Sequence, residues 1–169
     1  TNVTAFAGVS LGVTNRLGLE LTGVELALAT LTDQADSSRK WTSLQASASS
    51  LGFVGIPGIT LAATDIGIRM NQAADDGSLV DYDAQSLEIR TGPSDSITLT
   101  MAASEGELIE VSGNMALGIA SFVHVSGGFA FRQGSTATAT LSDGSEKEVT
   151  IMTLGASNVD VFVGVDGPA

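Results

Sequence analysis

Bulky apolar and small or polar side chains alternate with a period of two along most of this chain. That rhythm restricts it to structures made of half-buried strands. In the stretch from Val123 to Arg132 the odd positions are bulky apart from Gly127, and the even ones are polar or small. Similar runs occupy Leu17 to Leu31, Gly58 to Met70, Leu87 to Arg90, Ile97 to Met101, Leu108 to Val111 and Val149 to Leu154. Within the first of these the phase slips at Gly23, from Leu17, Leu19 and Leu21 to Val24, Leu26 and Leu28, as a bulge or tight bend would make it.

Turn signals separate the runs: Asp75-Asp76-Gly77-Ser78, Thr91-Gly92-Pro93-Ser94, Ser142-Asp143-Gly144-Ser145 and Asp166-Gly167-Pro168. Leu141 to Val149 reads as a hairpin. Helix evidence is confined to Asp33 to Ser50, where Asp33 offers a cap and Trp41, Leu44 and Ala48 share a helical face, although serines and threonine crowd it, so either a short helix or an irregular loop is expected there. The expected fold is all-β: an elongated, mostly antiparallel β-sandwich or roll, or an irregular β-solenoid, with at most one short helix around 33–50.

The 169 residues suit a single β-rich module over 1–169, and the apolar content is high enough for a packed fold. Nineteen acidic against seven basic residues give a net charge of -12, which repels phosphate backbones and anionic bilayers, so no nucleic-acid partner is expected. Without cysteine, disulfides, thiolate metal sites and cysteine nucleophiles are excluded. The longest stretch free of charged side chains, Val111 to Phe131, is broken by Ser112, Asn114, Ser121, His124 and Ser126, and aromatics are too sparse for the girdles of a membrane barrel. No membrane insertion is expected. The chain opens on Thr1 with no basic-then-apolar leader, which reads as a processed chain or an excised fragment.

The two ends resemble each other. Thr1-Asn2-Val3-Thr4-Ala5-Phe6-Ala7-Gly8-Val9 against Ser157-Asn158-Val159-Asp160-Val161-Phe162-Val163-Gly164-Val165 gives five identities in nine positions. A chain cut within a repeating array would carry one strand type at both termini. Phe53-Val54-Gly55 echoes the same Phe-x-Gly step, but no strict short period emerges, so a regular solenoid is not established.

The segments Gly52-Phe53-Val54-Gly55-Ile56-Pro57-Gly58-Ile59-Thr60-Leu61, Ala63-Thr64-Asp65-Ile66, Val111-Ser112-Gly113-Asn114, Gly128-Phe129-Ala130-Phe131 and Gly155-Ala156-Ser157-Asn158-Val159 carry a resemblance that runs from about Leu17 to Pro168. Over that stretch the chain resembles modules repeated many times in very large bacterial secreted or surface proteins. It implies tandem arrangement, an extracellular or cell-surface location, and a spacer or adhesin-like role. Related-looking modules carry an aspartate-rich loop beside the Phe-x-Gly-Val strand; Val9-Ser10-Leu11-Gly12-Val13 lacks it, which puts a calcium site there in doubt.

Motifs for chemistry are few. His124, the only histidine, sits mid-strand away from any Gly-x-Ser-x-Gly elbow, so a hydrolase triad has no support. Asp81 with Asp83, and Glu105 with Glu107, are carboxylate pairs of the kind glycosidases use, and equally of the kind that solvates a strand edge. The candidate metal ligands are Asp75, Asp76, Asp81 and Asp83, carboxylates around a glycine turn that suit calcium without matching an EF-hand loop. Trp41 and Tyr82 are candidate stacking groups for a glycan or another surface ligand.

Three functions follow as expectations. The first is a non-catalytic structural or adhesive repeat module whose partners are neighbouring copies, joined end to end or by strand addition. The second is a self-assembling extracellular fibre or sheath subunit, and the third a module binding a glycan or surface ligand. No enzyme is expected, since no nucleophile, base and orienting group can be assembled from these motifs.

Overall fold

A computed structural model describes residues 3–10, 16–120 and 122–165. The molecule is all-β and antiparallel. A seven-stranded sheet is made by β1 (Val3–Ser10), β2 (Arg16–Thr32), β3 (Lys40–Val54), β4 (Ile59–Gln72), β7 (Leu108–Ile119), β8 (Val123–Thr140) and β9 (Glu146–Val163), lying side by side in chain order. Between β4 and β7 the chain leaves the sheet and forms a small hairpin, β5 (Leu87–Arg90) with β6 (Ser96–Leu99), and a short 3-10 turn at Ala103–Glu105. The sheet is an open meander, not closed into a barrel.

Seven of the strands lie where the alternation and turn signals put them, β5 at the residues named. Residues 33–50 differ from expectation: Asp33 to Arg39 is a turn closed by Asp33 N–H donating to the Arg39 carbonyl, and β3 begins at Lys40. Trp41 and Leu44, which share a face at helical spacing, instead face opposite sides of a strand that is hydrogen-bonded along both edges.

Register makes the two faces of the sheet chemically distinct. One face carries the rows Leu28–Leu44–Met70–Ile109, Leu26–Ala46–Ile68–Val111–Phe131–Leu154 and Leu61–Leu117–Val125–Val161. The other carries Thr22–Ser50–Thr64–Asn114–Gly128–Ser157 and Gln45–Arg69–Glu110–Arg132. Rows stay pure because β2, β3 and β4 change phase together, and where a strand changes phase beside one that does not, the pairing slips to match. Gly23, Asp65 and Asn158 have φ of 62°, 54° and 50°, and the pairing slips by one residue beside each of them. The bulge that the sequence marks at Gly23 is there, and a Cβ on that glycine would run into the Ser49 side chain.

The segment between β4 and β7 covers one end of the polar face, and there the buried core lies. Tyr82, Leu99 and Met101 close over Ala27 and Ala29 of β2 and Leu108 of β7, flanked by Leu31, Val80, Ile89 and Ile97. Each of these large side chains contributes about 1.5–3 kcal/mol by leaving water. The Tyr82 hydroxyl donates to Ser43 Oγ at 2.9 Å, Ser43 Oγ donates to Asn71 Oδ1 at 2.9 Å, and Asn71 Nδ2 donates to the Val80 carbonyl at 3.0 Å. These buried polar groups are thereby satisfied.

Candidate functional site: the two open edges of the sheet

The four aspartates singled out as calcium ligands lie between β4 and the hairpin without converging. Asp76 Oδ1 accepts from the Ser78 hydroxyl at 2.6 Å and the Ser78 amide at 3.0 Å, and Asp76 Oδ2 meets Arg39 Nε at 3.0 Å. The Ser78 hydroxyl and amide, then Arg39, hold its carboxyl below the usual range. Asp81 Oδ1 accepts the Ala103 amide at 3.2 Å and the Asp83 amide at 3.2 Å, contacts that also lower its pKa, the Ala103 amide most. Asp75 and Asp83 are exposed. Among the described residues no three carboxylate or imidazole side chains come together as a metal site would need.

Glu105, read from sequence beside Glu107, instead joins Glu110 between two arginines. Arg69 Nη2 and Arg132 Nη2 each lie 3.0 Å from Glu105 Oε2, and Arg69 Nε lies 3.0 Å from Glu110 Oε1. Burial alone would raise the Glu105 pKa, but the Arg69 hydrogen bonds, the Ala102 amide and the two guanidinium charges outweigh it and hold the carboxyl below its ordinary value. A carboxylate held ionised in this way is a clasp between the inserted segment and β4, β7 and β8, and a poor proton donor. Separations of tens of residues left no local signal for this cluster.

The remaining candidates are built into the fold. Tyr82 is 2% exposed, so its ring packs in the core. Trp41 is half-buried, its indole N–H donating to the Ser78 carbonyl at 3.0 Å. His124 stands across from Gly118 and Phe162 in the sheet, with its ring 6.4 Å from that of Phe162. Two depressions on the polar face, about 450 and 350 Å³, are lined by glycine, alanine, serine, asparagine and a few other side chains, with no acid, base or imidazole in their lining, while two beside the β5–β6 hairpin, about 400 and 360 Å³, are lined in part by Glu25 with Asp95 and by Glu88 with Arg90 and Asp95. Among the described residues nothing covers the apolar face: Leu154 is 75% and Val163 73% exposed, and a shallow depression of about 260 Å³ runs past Leu51, Ile66, Val111, Phe131 and Leu154.

What the structure does bring out is the position of the two similar segments. β1 and β9 are the outermost strands at opposite edges of the sheet. β1 runs beside β2, with Ala5 opposite Leu21, Phe6 opposite Glu20 and Ala7 opposite Leu19. The matching part of β9 runs beside β8, with Val161 opposite Val125, Phe162 opposite His124 and Val163 opposite Val123. Local conformation matches as well. The Phe6 ring folds over Gly8, so that a Cβ there would lie 2.9 Å from Phe6 Cζ; at Gly164 the same construction meets Phe162 Cζ at 3.0 Å. A bare glycine beside a cross-folded ring is the same packing device at both edges. Thr1 and Asn2, the Leu11 to Val13 part of the loop and the Asp166-Gly167-Pro168 turn lie outside the described residues.

No family model matches the sequence, and no characterised protein or solved structure matches it either.

Proposed function

We propose that this chain is a non-catalytic structural and adhesive module of a large extracellular bacterial protein, one copy in a tandem array whose sheets run on from copy to copy. The observation that supports this reading most is the presence of one strand type, alike in sequence and in ring-over-glycine packing, at both open edges of the sheet. An open meander presents unpaired N–H and C=O groups along both outer strands, and proteins that work as single copies normally blunt such edges. Here β9 is 18 residues long and, among the described residues, has no strand paired on its outer side. Such an edge suits β-strand addition, in which main-chain hydrogen bonds give affinity and alternate side chains give selectivity.

An array of this kind would act by geometry, through rigid length, acidic solubility and many weak contacts multiplied by copy number. Small-angle scattering on one copy and on two joined copies tests it. A rod with a fixed inter-copy distance is expected; two bodies tumbling independently about a flexible joint would reject the reading. The self-assembling fibre subunit rests on the same edges and differs only in whether the copies share one chain.

A further inference from the structure

We propose that β9 is a joint strand, closing one copy and opening the next, so that its free side receives Arg16 to Val24 of a second copy of this chain. The inference rests on the array reading and names the surfaces and register by which it works.

Three observations carry it. At a constant offset along the chain Val3, Phe6, Gly8 and Val9 become Val159, Phe162, Gly164 and Val165. The matched residues face the same way: Ala5 and Ala7 stand in the apolar rows of Leu21 and Leu19, while Val161 and Val163 stand in those of Leu117 and Ile119. Every neighbouring pair in the sheet is antiparallel, so β1 and β9, an even number of steps apart, run in the same direction. Two strands that share direction and facing share left and right. The side on which β1 is paired with β2 is therefore the side on which β9 is open, and the open side of β1 is the side on which β9 is paired with β8. One strand can thus fill both roles without competition.

The register follows from β1. In the joined sheet Val161 stands opposite Leu21 of the second copy, Phe162 opposite its Glu20, Val163 opposite its Leu19 and Gly164 opposite its Gly18. The last pair has a steric reason. At Gly8 and Gly18 the backbones approach so closely that a Cβ on either would meet the Cα of the other at 2.7 Å, and Gly164 keeps that position open. Arg16, whose guanidinium lies 3.9 Å from the Phe6 ring centroid, would take the same place over Phe162. The Val161 and Val163 side chains, among the most exposed on the molecule, would gain the Leu21 and Leu19 side chains as neighbours.

The test joins two copies so that Ser10 of the second follows Val165 of the first. Amide hydrogen exchange should slow by at least about a hundredfold at alternate residues between Val159 and Val163 of the first copy, relative to the single chain. The chain has no cysteine, so a pair made by Val161→Cys in the first copy and Leu21→Cys in the second reports register without background; it should oxidise readily, and the pair Val161→Cys with Glu20→Cys, on opposite faces, should not. If exchange is unchanged and neither pair oxidises while scattering still shows a fixed inter-copy distance, the copies dock by another surface and the joint strand is wrong, although the array stands. If the copies also tumble freely, both are wrong. Should the cysteine variants fail to fold, exchange on the unsubstituted joined chain decides alone.

Discussion

Glu105 Oε2 lies 3.0 Å from Arg132 Nη2, a contact between a 3-10 turn of the inserted segment and the middle of β8. With Arg69 and Glu110 it forms an alternating cluster of two cations and two anions that fixes the insert to the polar face. One consequence is a defined acid sensitivity. Because the Glu105 pKa is depressed in the folded state, its contribution is present above the unfolded value of about 4.3 and is lost as pH falls through the lower folded value. Glu105→Gln should therefore cost about 1–3 kcal/mol at pH 7, and much less at pH 3, measured as urea midpoints at the two pH values. An equal loss at both would show that the charge is not what matters.

Backbone conformation at the bulges gives a second prediction, with opposite signs at two positions. Gly23→Val places a β-branched side chain at a φ of 62° and against Ser49, and should destabilise by about 1–3 kcal/mol. Asn158→Gly relieves a left-handed residue, and should be neutral or stabilising by up to about 1 kcal/mol. Thermal melts of the two variants distinguish the effects.

The uncovered apolar face should bind hydrophobic dyes in the native state. Leu154→Lys should lower that dye fluorescence, while unfolding free energy stays within about 0.5 kcal/mol of the parent because the leucine is largely exposed. A large loss of stability would mean that Leu154 is buried in solution.

Calcium is expected to leave the melting temperature unchanged, since Asp76 and Asp81 are engaged by amides, a hydroxyl and Arg39. A rise on adding calcium that disappears in Asp75→Asn with Asp76→Asn would establish the site that the aspartate-glycine turn suggests.

The edges were more legible in the sequence than the rest of the candidate surfaces. Likeness between Thr1 to Val9 and Ser157 to Val165 is a comparison of residues, and it can be read before any fold is known. That the two segments are open on opposite sides cannot, because the side on which a strand is paired depends on the strands beside it. The Arg69, Glu105, Glu110 and Arg132 cluster was invisible for a related reason: its members are charged residues on strands and a turn far apart in the chain, and each alone reads as a solvated side chain.

The sequence by itself determined that this is a β protein, where most strands and turns fall, and that the apolar pattern changes phase at Gly23, because a strand's side-chain period and a glycine's freedom are local properties. It misled at Asp33 to Ser50, where the spacing of Trp41, Leu44 and Ala48 fits a helix and the backbone hydrogen bonds of β2 and β4 hold a strand. Only the tertiary structure decided that the strands make one open meander, that Tyr82, Leu99 and Met101 close over the polar face, and that the apolar face stays bare. Those outcomes depend on which distant segments meet, and alternation within one segment carries no information about its partners.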